Sequence, residues 1–295
     1  MKPPLFSYHD PRAIGDVVEL LGRLDNAKLL AGGQSLMPML NMRFVLPDHV
    51  IDLNRVAGLS FIREADGALE IGAMTRQRDL EFSDVVRGRC PLMAEAIALV
   101  GHRQTRNRGT LGGSLCHLDP SAELVSVAAA LDATVIVSGP NGQREIEFAA
   151  FPVAFMTPAI EPNELLTAVR FPAWPKGHGY AFIEFARRHG DFAIVSAAAL
   201  LLEDGAGKVL RAAVVIGGMG MVPIRAVELE QTLIGQVPDD KLLREACETC
   251  RKLDAIDDVH APGSYRRHLA TVLSRRALEQ ASARLPSRAA AARVT

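Results

Sequence analysis

Only four of the 295 residues are cysteine, too few and too scattered for the disulfide framework of a small secreted domain. Long hydrophobic runs are also missing: the most apolar stretch, AIVSAAALLL from Ala193 to Leu202, is half of the ~20 residues a membrane-spanning helix requires. The opening MKPPLFSYHDP lacks the apolar core and cleavage site of a secretory signal. Charge of either sign is not in excess, since 33 Lys and Arg against 34 Asp and Glu leave a net charge of −1. That balance favours neither nucleic acid nor an anionic membrane as a partner. A soluble, cytoplasmic protein is expected. The P-loop signature, which ends in Gly-Lys-Ser or Gly-Lys-Thr, is absent as well.

What remains is an ordinary globular composition, 48% hydrophobic and 23% charged, in a chain long enough for two or three domains. Ile14, Val17, Val18 and Leu21 recur at helical spacing, and KLLAGG then reads as a buried strand ending in glycines. HVIDL and LEIGAMT read as strands, PLMAEAIALVG as a helix stopped by Gly101, and TVIVSGPNGQREIEF as two strands turning at Asn141-Gly142. A helix is predicted from Asp119 to about Leu131, with Asp119 as N-cap and Pro120 in the first position. FPAWPKGHG, Phe171 to Gly179, marks a boundary. Three strands and two helices follow it, one helix reaching LSRRALEQA. Strands and helices mix without strict alternation, so the fold class is α+β.

Two stretches carry adjacent glycines, KLLAGGQSLMP from Lys28 and RGTLGGSLCHLDPSAEL from Arg108. Each reads as a strand running into a polar loop. A diphosphate needs many hydrogen-bond donors at once, and backbone N–H groups supply them only where no Cβ blocks approach. Gly32-Gly33 followed by Ser35 as a helix N-cap, and the segment from Thr110 to Ser114, both meet that demand. Arg103, Arg106 and Arg108 stand just ahead of the second pair and would raise its positive potential. Glu123 suits either ribose hydroxyls or the start of its own helix, and the residues alone leave both open. Gly218-Met219-Gly220 follows a strand, but Pro223 replaces the last glycine of a dinucleotide fingerprint, so a strand end and turn is predicted there.

Cys247 and Cys250 form a C-x-x-C within REACETCRKL, which reads as helix interior with no second ligand pair nearby. Two small helical side chains are favoured over a redox or metal site. His117, beside Cys116 and Asp119, lacks metal-ligand spacing, so no metal is expected.

AGGQSLMPML, TLGGSLCHLDPSAE and RRHGDFAIVSAAALL, in that order and spacing, resemble the FAD-binding medium subunit of bacterial molybdenum hydroxylases. That family includes aerobic carbon monoxide dehydrogenase and N-heterocycle dehydrogenases, and corresponds to the flavin domain of xanthine dehydrogenase. The resemblance runs on through PIRAVELEQTLIG and YRRHLATVLSRRAL, nearly the whole chain. It implies a PCMH-type FAD-binding domain over residues 1–176, made of two α/β subdomains at about 1–58 and 59–176. A C-terminal domain with a three-stranded antiparallel sheet and helices would cover residues 177–285, and 286–295 would form a mobile tail.

Carried over by position, the resemblance places the first FAD loop on Lys28, Leu29, Leu30, Ala31, Gly32, Gly33, Gln34, Ser35 and Leu36. The second falls on Thr110, Gly112, Gly113 and Ser114, preceded by Gly101 and His102, with His117 able to contact the cofactor. Glu123 matches the ribose position, Leu166 an apolar contact, and Asp191 and Phe192 the residues near the isoalloxazine ring. Ser114 replaces the Asn of many relatives, and Phe192 replaces an aromatic hydroxyl. Gln34 stands where distant flavoproteins carry a histidine tethered to FAD, and a glutamine amide is a poor nucleophile, so the FAD is expected to be non-covalent.

The resemblance further implies a heterotrimer, assembled as a dimer of heterotrimers. A large molybdopterin-binding subunit would hydroxylate the substrate, and a small iron-sulfur subunit would carry two [2Fe–2S] clusters. Four cysteines without cluster spacing place those clusters on a partner. This chain would then pass electrons to an external acceptor, with no catalytic side chain of its own. Two other readings stay open: a stand-alone flavin oxidoreductase of the same fold, and a non-redox module holding some other phosphate ligand.

Overall fold

The computed structural model describes residues 2–286; of the expected tail, all but Pro286 lies outside them. The chain opens with β1 (Ser7–His9), α1 (Ile14–Arg23), β2 (Ala27–Leu30), α2 (Leu36–Asn41) and β3 (His49–Asp52). The Asp16 carboxylate accepts the Ala13 amide (3.1 Å) at the start of α1, and Val17 is fully buried. The three strands form a parallel sheet in the order β1-β3-β2. Ile51 of the central strand packs with Val17, Leu53, Val56 and Leu59.

Next come the hairpin β4 (Ile62–Ala65) and β5 (Ala68–Gly72), then short helices α3 (Gln77–Phe82), α4 (Asp84–Arg89), α5 (Pro91–Leu99), α6 (Arg103–Arg108), α7 (Leu111–His117) and α8 (Glu123–Ala130). Five strands follow: β6 (Thr134–Gly139), β7 (Gly142–Glu147), β8 (Pro152–Ala154), β9 (Thr157–Pro158) and β10 (Leu165–Pro172). An antiparallel sheet forms in the order β4-β5-β10-β6-β7, with β10 central and buried along most of its length. The β6–β7 hairpin turns through Asn141, and Gly142 takes φ +99°. Pro120 does not open α8. The helix starts three residues later at Glu123, because the Asp119 carboxylate accepts the Ser121 amide (2.9 Å) in a turn of its own.

The remaining elements are β11 (Gly179–Phe185), β12 (Val195–Glu203), β13 (Val209–Gly217), β14 (Ile224–Arg225), α9 (Val227–Leu233), α10 (Asp240–Cys247) and α11 (Gly263–Ala283). The expected three-stranded sheet is antiparallel but gains the two-residue β14 as a fourth strand. Gly218 through Val222 is a turn region, as predicted. Alternate residues of β12 and β13, among them Ala197, Ala199, Val214 and Ile216, pack on Ala270, Leu273 and Ala277 of α11. Gly179 admits α11 because a Cβ there would lie 1.9 Å from the Ala281 carbonyl oxygen.

By contacts the chain divides into two units. One holds the residues up to Val85 with His102–Leu118 and Ala133–Pro172; the other holds Val86–Gly101, Asp119–Asp132 and the residues from Ala173 on. The second unit thus draws α5 and α8 from within the first 176 residues; α8 packs on β12 and β13, and α5 on β11.

The C-x-x-C is not helix interior throughout, since α10 ends at Cys247 and Cys250 lies in a 3₁₀ turn. Both thiols are buried, and burial pushes Cys250 up to about 11. Neither is a thiolate poised for redox work. Among the described residues no cluster of His, Cys, Asp or Glu could hold a metal, and no helix is long and apolar enough to cross a membrane.

One buried cation ties the second unit together. Arg266 is only 2% exposed, and its guanidinium donates to the carbonyls of Ile194 (2.5 Å) and Gly218 (2.6 Å) and to the Asp258 carboxylate (2.6 Å). Burial pushes Asp258 upward, but the Ala261 amide, the Arg266 guanidinium and the His260 amide outweigh it and hold the carboxyl at about 2. Its stabilisation is therefore complete above about pH 4, the unfolded range, and is lost as the pH falls through about 2. Asp258→Asn is expected to lower unfolding stability at neutral pH. Denaturant titrations should show that difference shrink as acid approaches about pH 2.

Candidate functional site

The first glycine turn leaves the end of β2, where Lys28 is exposed and Leu29 and Leu30 are half-buried. Gly33 takes φ +74°, a conformation that costs a side-chain-bearing residue about 1–3 kcal/mol. The bend delivers the chain into α2, where the Met37 amide donates to the Gly33 carbonyl (3.1 Å). Ahead of it, the amides of Gly32, Gly33, Gln34, Ser35 and Leu36 donate to nothing within the described residues. Ser35 stands at the N-cap position but makes no capping bond with its side chain. Gln34 folds back, its side-chain amide donating to the Gly32 carbonyl (3.2 Å).

The second glycine pair plays a different part. It lies inside α7 and follows α6, so it is not a strand-to-loop turn. The Gly112 amide donates to the Ala73 carbonyl (2.8 Å), and the Gly113 amide to the Thr110 hydroxyl (3.1 Å), which caps the helix. These two N–H groups are therefore engaged, and the donors expected of both pairs reside in the first. The reason for glycine here is packing: a Cβ at Gly112 would sit 2.7 Å from the Ala73 Cβ, and one at Gly113 would sit 2.7 Å from the Thr110 hydroxyl oxygen.

The first turn touches the segment that leads into α7. A Cβ on Gly32 would lie 2.3 Å from the Arg108 carbonyl oxygen and 2.8 Å from the Gly109 Cα, so backbone rests on backbone. Two residues outside the sequence-derived set join them. The Asn54 side-chain amide donates to the Ala31 carbonyl (3.1 Å), and the Asn54 side-chain oxygen accepts from the Arg76 guanidinium (2.5 Å). Arg76 also donates to the Arg108 carbonyl. Neither residue belongs to a motif; only their positions after β3 and β5 bring them here.

Of the three arginines expected to raise the local potential, Arg106 is paired with Glu81 through Nε (2.8 Å) and Nη2 (3.0 Å) and is nearly buried. His102 is the N-cap of α6, Ser114 and His117 lie along α7, and Leu166 is buried in β10 beside a bulge. These belong to the unit that holds both turns. Gly101, at φ +48°, and the buried Glu123, Asp191 and Phe192 belong to the other. Asp191 and Phe192 follow β11 in a bend that Gly190 opens at φ +86°, and Phe192 is 57% exposed. The Asp191 amide donates to the Arg188 carbonyl (3.1 Å). A separate cavity of about 440 Å³ lies against the five-stranded sheet. Its arginines, Arg63, Arg144 and Arg170, are bonded to carboxylates, so it offers no free anion site.

A bend with five unbonded amides, locked to a second glycine segment, offers a donor set that can accept an anionic group such as a phosphate. Residues 4–174 match the family model described as the FAD binding domain in molybdopterin dehydrogenase. Residues 180–281 match the CO dehydrogenase flavoprotein C-terminal domain. The chain belongs to this family of FAD-binding medium subunits of molybdenum hydroxylases, oxidoreductase components of dehydrogenase complexes. It is 40% identical over 287 residues to the 6-hydroxypseudooxynicotine dehydrogenase complex subunit alpha of Paenarthrobacter nicotinovorans, covering 95% of this chain and 96% of that one. It is 37% identical to the carbon monoxide dehydrogenase medium chain of Afipia carboxidovorans, covering 96% and 99%. The carbon monoxide dehydrogenase structure from Hydrogenophaga pseudoflava superposes with a TM-score of 0.94 at 36% identity, over 97% of this chain and 100% of that one.

Gly32→Ala is expected to force the two turns apart, and Gly33→Val to strain the bend that exposes the amides. Both should lower the flavin bound per chain, read from visible absorbance, while far-ultraviolet circular dichroism stays that of the folded protein. Gln34→Ala should be milder, because the backbone donors remain.

Proposed function

We propose that this chain is the FAD-carrying electron-transfer subunit of a heterotrimeric molybdenum-containing dehydrogenase or hydroxylase. The observation that supports it most is the run of five unbonded amides from Gly32 to Leu36, a donor set that fits the diphosphate bridge of FAD. Gly32, Gly33, Gln34, Ser35 and Leu36 would hold that bridge. Thr110, Gly112, Gly113 and Ser114 would back them by fixing the turn's position. The FAD is non-covalent on this reading, since Gln34 carries no nucleophile.

A bound FAD would supply the redox chemistry of electron transfer between [2Fe–2S] clusters on a small partner and an external acceptor. The chain's own residues bind and orient; none is assigned a proton-transfer step. Leu166 is proposed as an apolar contact, Glu123 as an acceptor for ribose hydroxyls, and Asp191 and Phe192 as groups near the ring. Lys28, Leu29, Leu30 and Ala31 would lead into the phosphate turn, with Gly101, His102 and His117 as further contacts. Relatives named medium chain or complex subunit support the presence of partner subunits; on this reading they are a large molybdenum-binding chain and a small iron-sulfur chain, assembled with this one as a dimer of heterotrimers in the cytoplasm.

Isolation of the native complex tests this reading. The chain is expected to co-purify with one molybdenum-containing and one iron–sulfur polypeptide and to hold one releasable FAD. Substrate reduction of that flavin should require both partners. A colourless chain, or turnover of substrate by this chain alone, would overturn the assignment.

A further inference from the structure

Arg76 occupies an unusual electrostatic position. Its guanidinium donates to two neutral oxygens, the Asn54 side-chain carbonyl and the Arg108 backbone carbonyl. Burial is the main influence pulling its pKa down, and the neighbouring Arg108 cation is the second. Asp52 and Asp79 pull the other way. Asp52, however, is already bonded to the Tyr8 hydroxyl (2.6 Å), the Asn54 amide (2.9 Å) and the Asn54 side chain (2.5 Å). Two cations therefore stand together at the contact between the glycine turns, and Arg76 faces no directly bonded carboxylate.

Its backbone is equally committed. Arg76 forms an antiparallel bridge with Thr110. On either side, the Gln77 amide donates to the Gly109 carbonyl (2.9 Å) and the Leu111 amide to the Thr75 carbonyl (3.1 Å). The Arg76 main chain is zippered to the second glycine segment while its side chain reaches, through Asn54, to the Ala31 carbonyl at the first. Asp52 fixes the far end by holding Asn54.

We propose that Arg76, steered by Asn54, is a positioning residue that locks the two glycine segments at one spacing and supplies there a positive charge, bonded to no carboxylate, that complements a diphosphate ester. The inference rests on the flavin reading above and deepens it by assigning the charge that complements the bridge. A structural tie alone would not call for a second cation beside Arg108. A charge alone would not need two hydrogen bonds directed at the carbonyls and amide oxygens of separate segments.

The test uses the full chain, stripped of flavin, titrated with FAD, ADP and riboflavin, the last lacking phosphate. Arg76→Ala and Asn54→Ala are each expected to weaken FAD and ADP by about tenfold to a hundredfold, the scale of losing hydrogen bonds to a charged group. Riboflavin affinity should change by less than about twofold, a readout that general loosening of the fold would not spare. Because the two residues act through one bridge, the double variant should bind FAD about as weakly as Arg76→Ala alone. Arg76→Lys, which keeps the charge but not the two-point fork, should recover part of the loss. Multiplying single-variant losses, equal losses for riboflavin and FAD, or unchanged FAD affinity in Arg76→Ala would overturn the inference. Should Arg76→Ala not fold, Arg76→Lys and Asn54→Ala decide it by the same ratio of FAD to riboflavin. A wild-type chain without FAD affinity would instead overturn the flavin reading, and this inference with it.

Discussion

Gly32 rests against the Arg108 carbonyl at a distance no side chain tolerates, and the arrangement of the candidate site follows from that contact. With the first turn pinned there, the left-handed bend at Gly33 points the following amides away from other acceptors. Five consecutive donors without partners would be costly in a protein interior, where each buried unsatisfied group costs about 1–3 kcal/mol. Their retention makes sense at a surface that takes an anion. The second glycine pair earns no donors of its own; Gly112 and Gly113 let α7 sit close enough to Ala73 and Thr110 for the pinning to occur.

This division of roles separates two demands that a glycine pair meets equally well in a sequence. One is close approach of a ligand, and the other is close approach of the chain to itself. On the proposed reading the run from Gly32 to Leu36 serves the first, while the missing side chains of Gly32, Gly112 and Gly113 serve the second. The β4–β5–β10–β6–β7 sheet supplies the rigid base, since Ala73, Thr75 and Arg76 follow directly from β5 and set where α7 begins.

In the second unit a comparable economy appears around Arg266. A single guanidinium fixes the Ile194 and Gly218 carbonyls, and so holds the start of β12 beside the turn that ends β13. The segment just before Ile194 carries Asp191 and Phe192, the residues proposed to lie near the ring. Their backbone is anchored from one side by Arg266 through Ile194 and from the other by the Ile194 amide bonded to the Phe185 carbonyl (2.8 Å).

Local patterns were enough to read most elements and the family. Helical spacing marks α1, continuous apolar runs mark β6, β12 and β13, and three ordered motifs mark the medium subunit. These are short-range properties, carried by neighbouring residues. Two boundaries differ from the local pattern: the Asp119 carboxylate makes a turn instead of a helix cap, and α10 gives way to a 3₁₀ turn that contains Cys250. The donor set, the engagement of Gly112 and Gly113, the pairing of Arg106 with Glu81 and the Asn54–Arg76 bridge were decided only by tertiary structure. Each depends on which segments, distant in the chain, end at the same place, and hydrogen-bond partners chosen across such distances leave no trace in residue spacing.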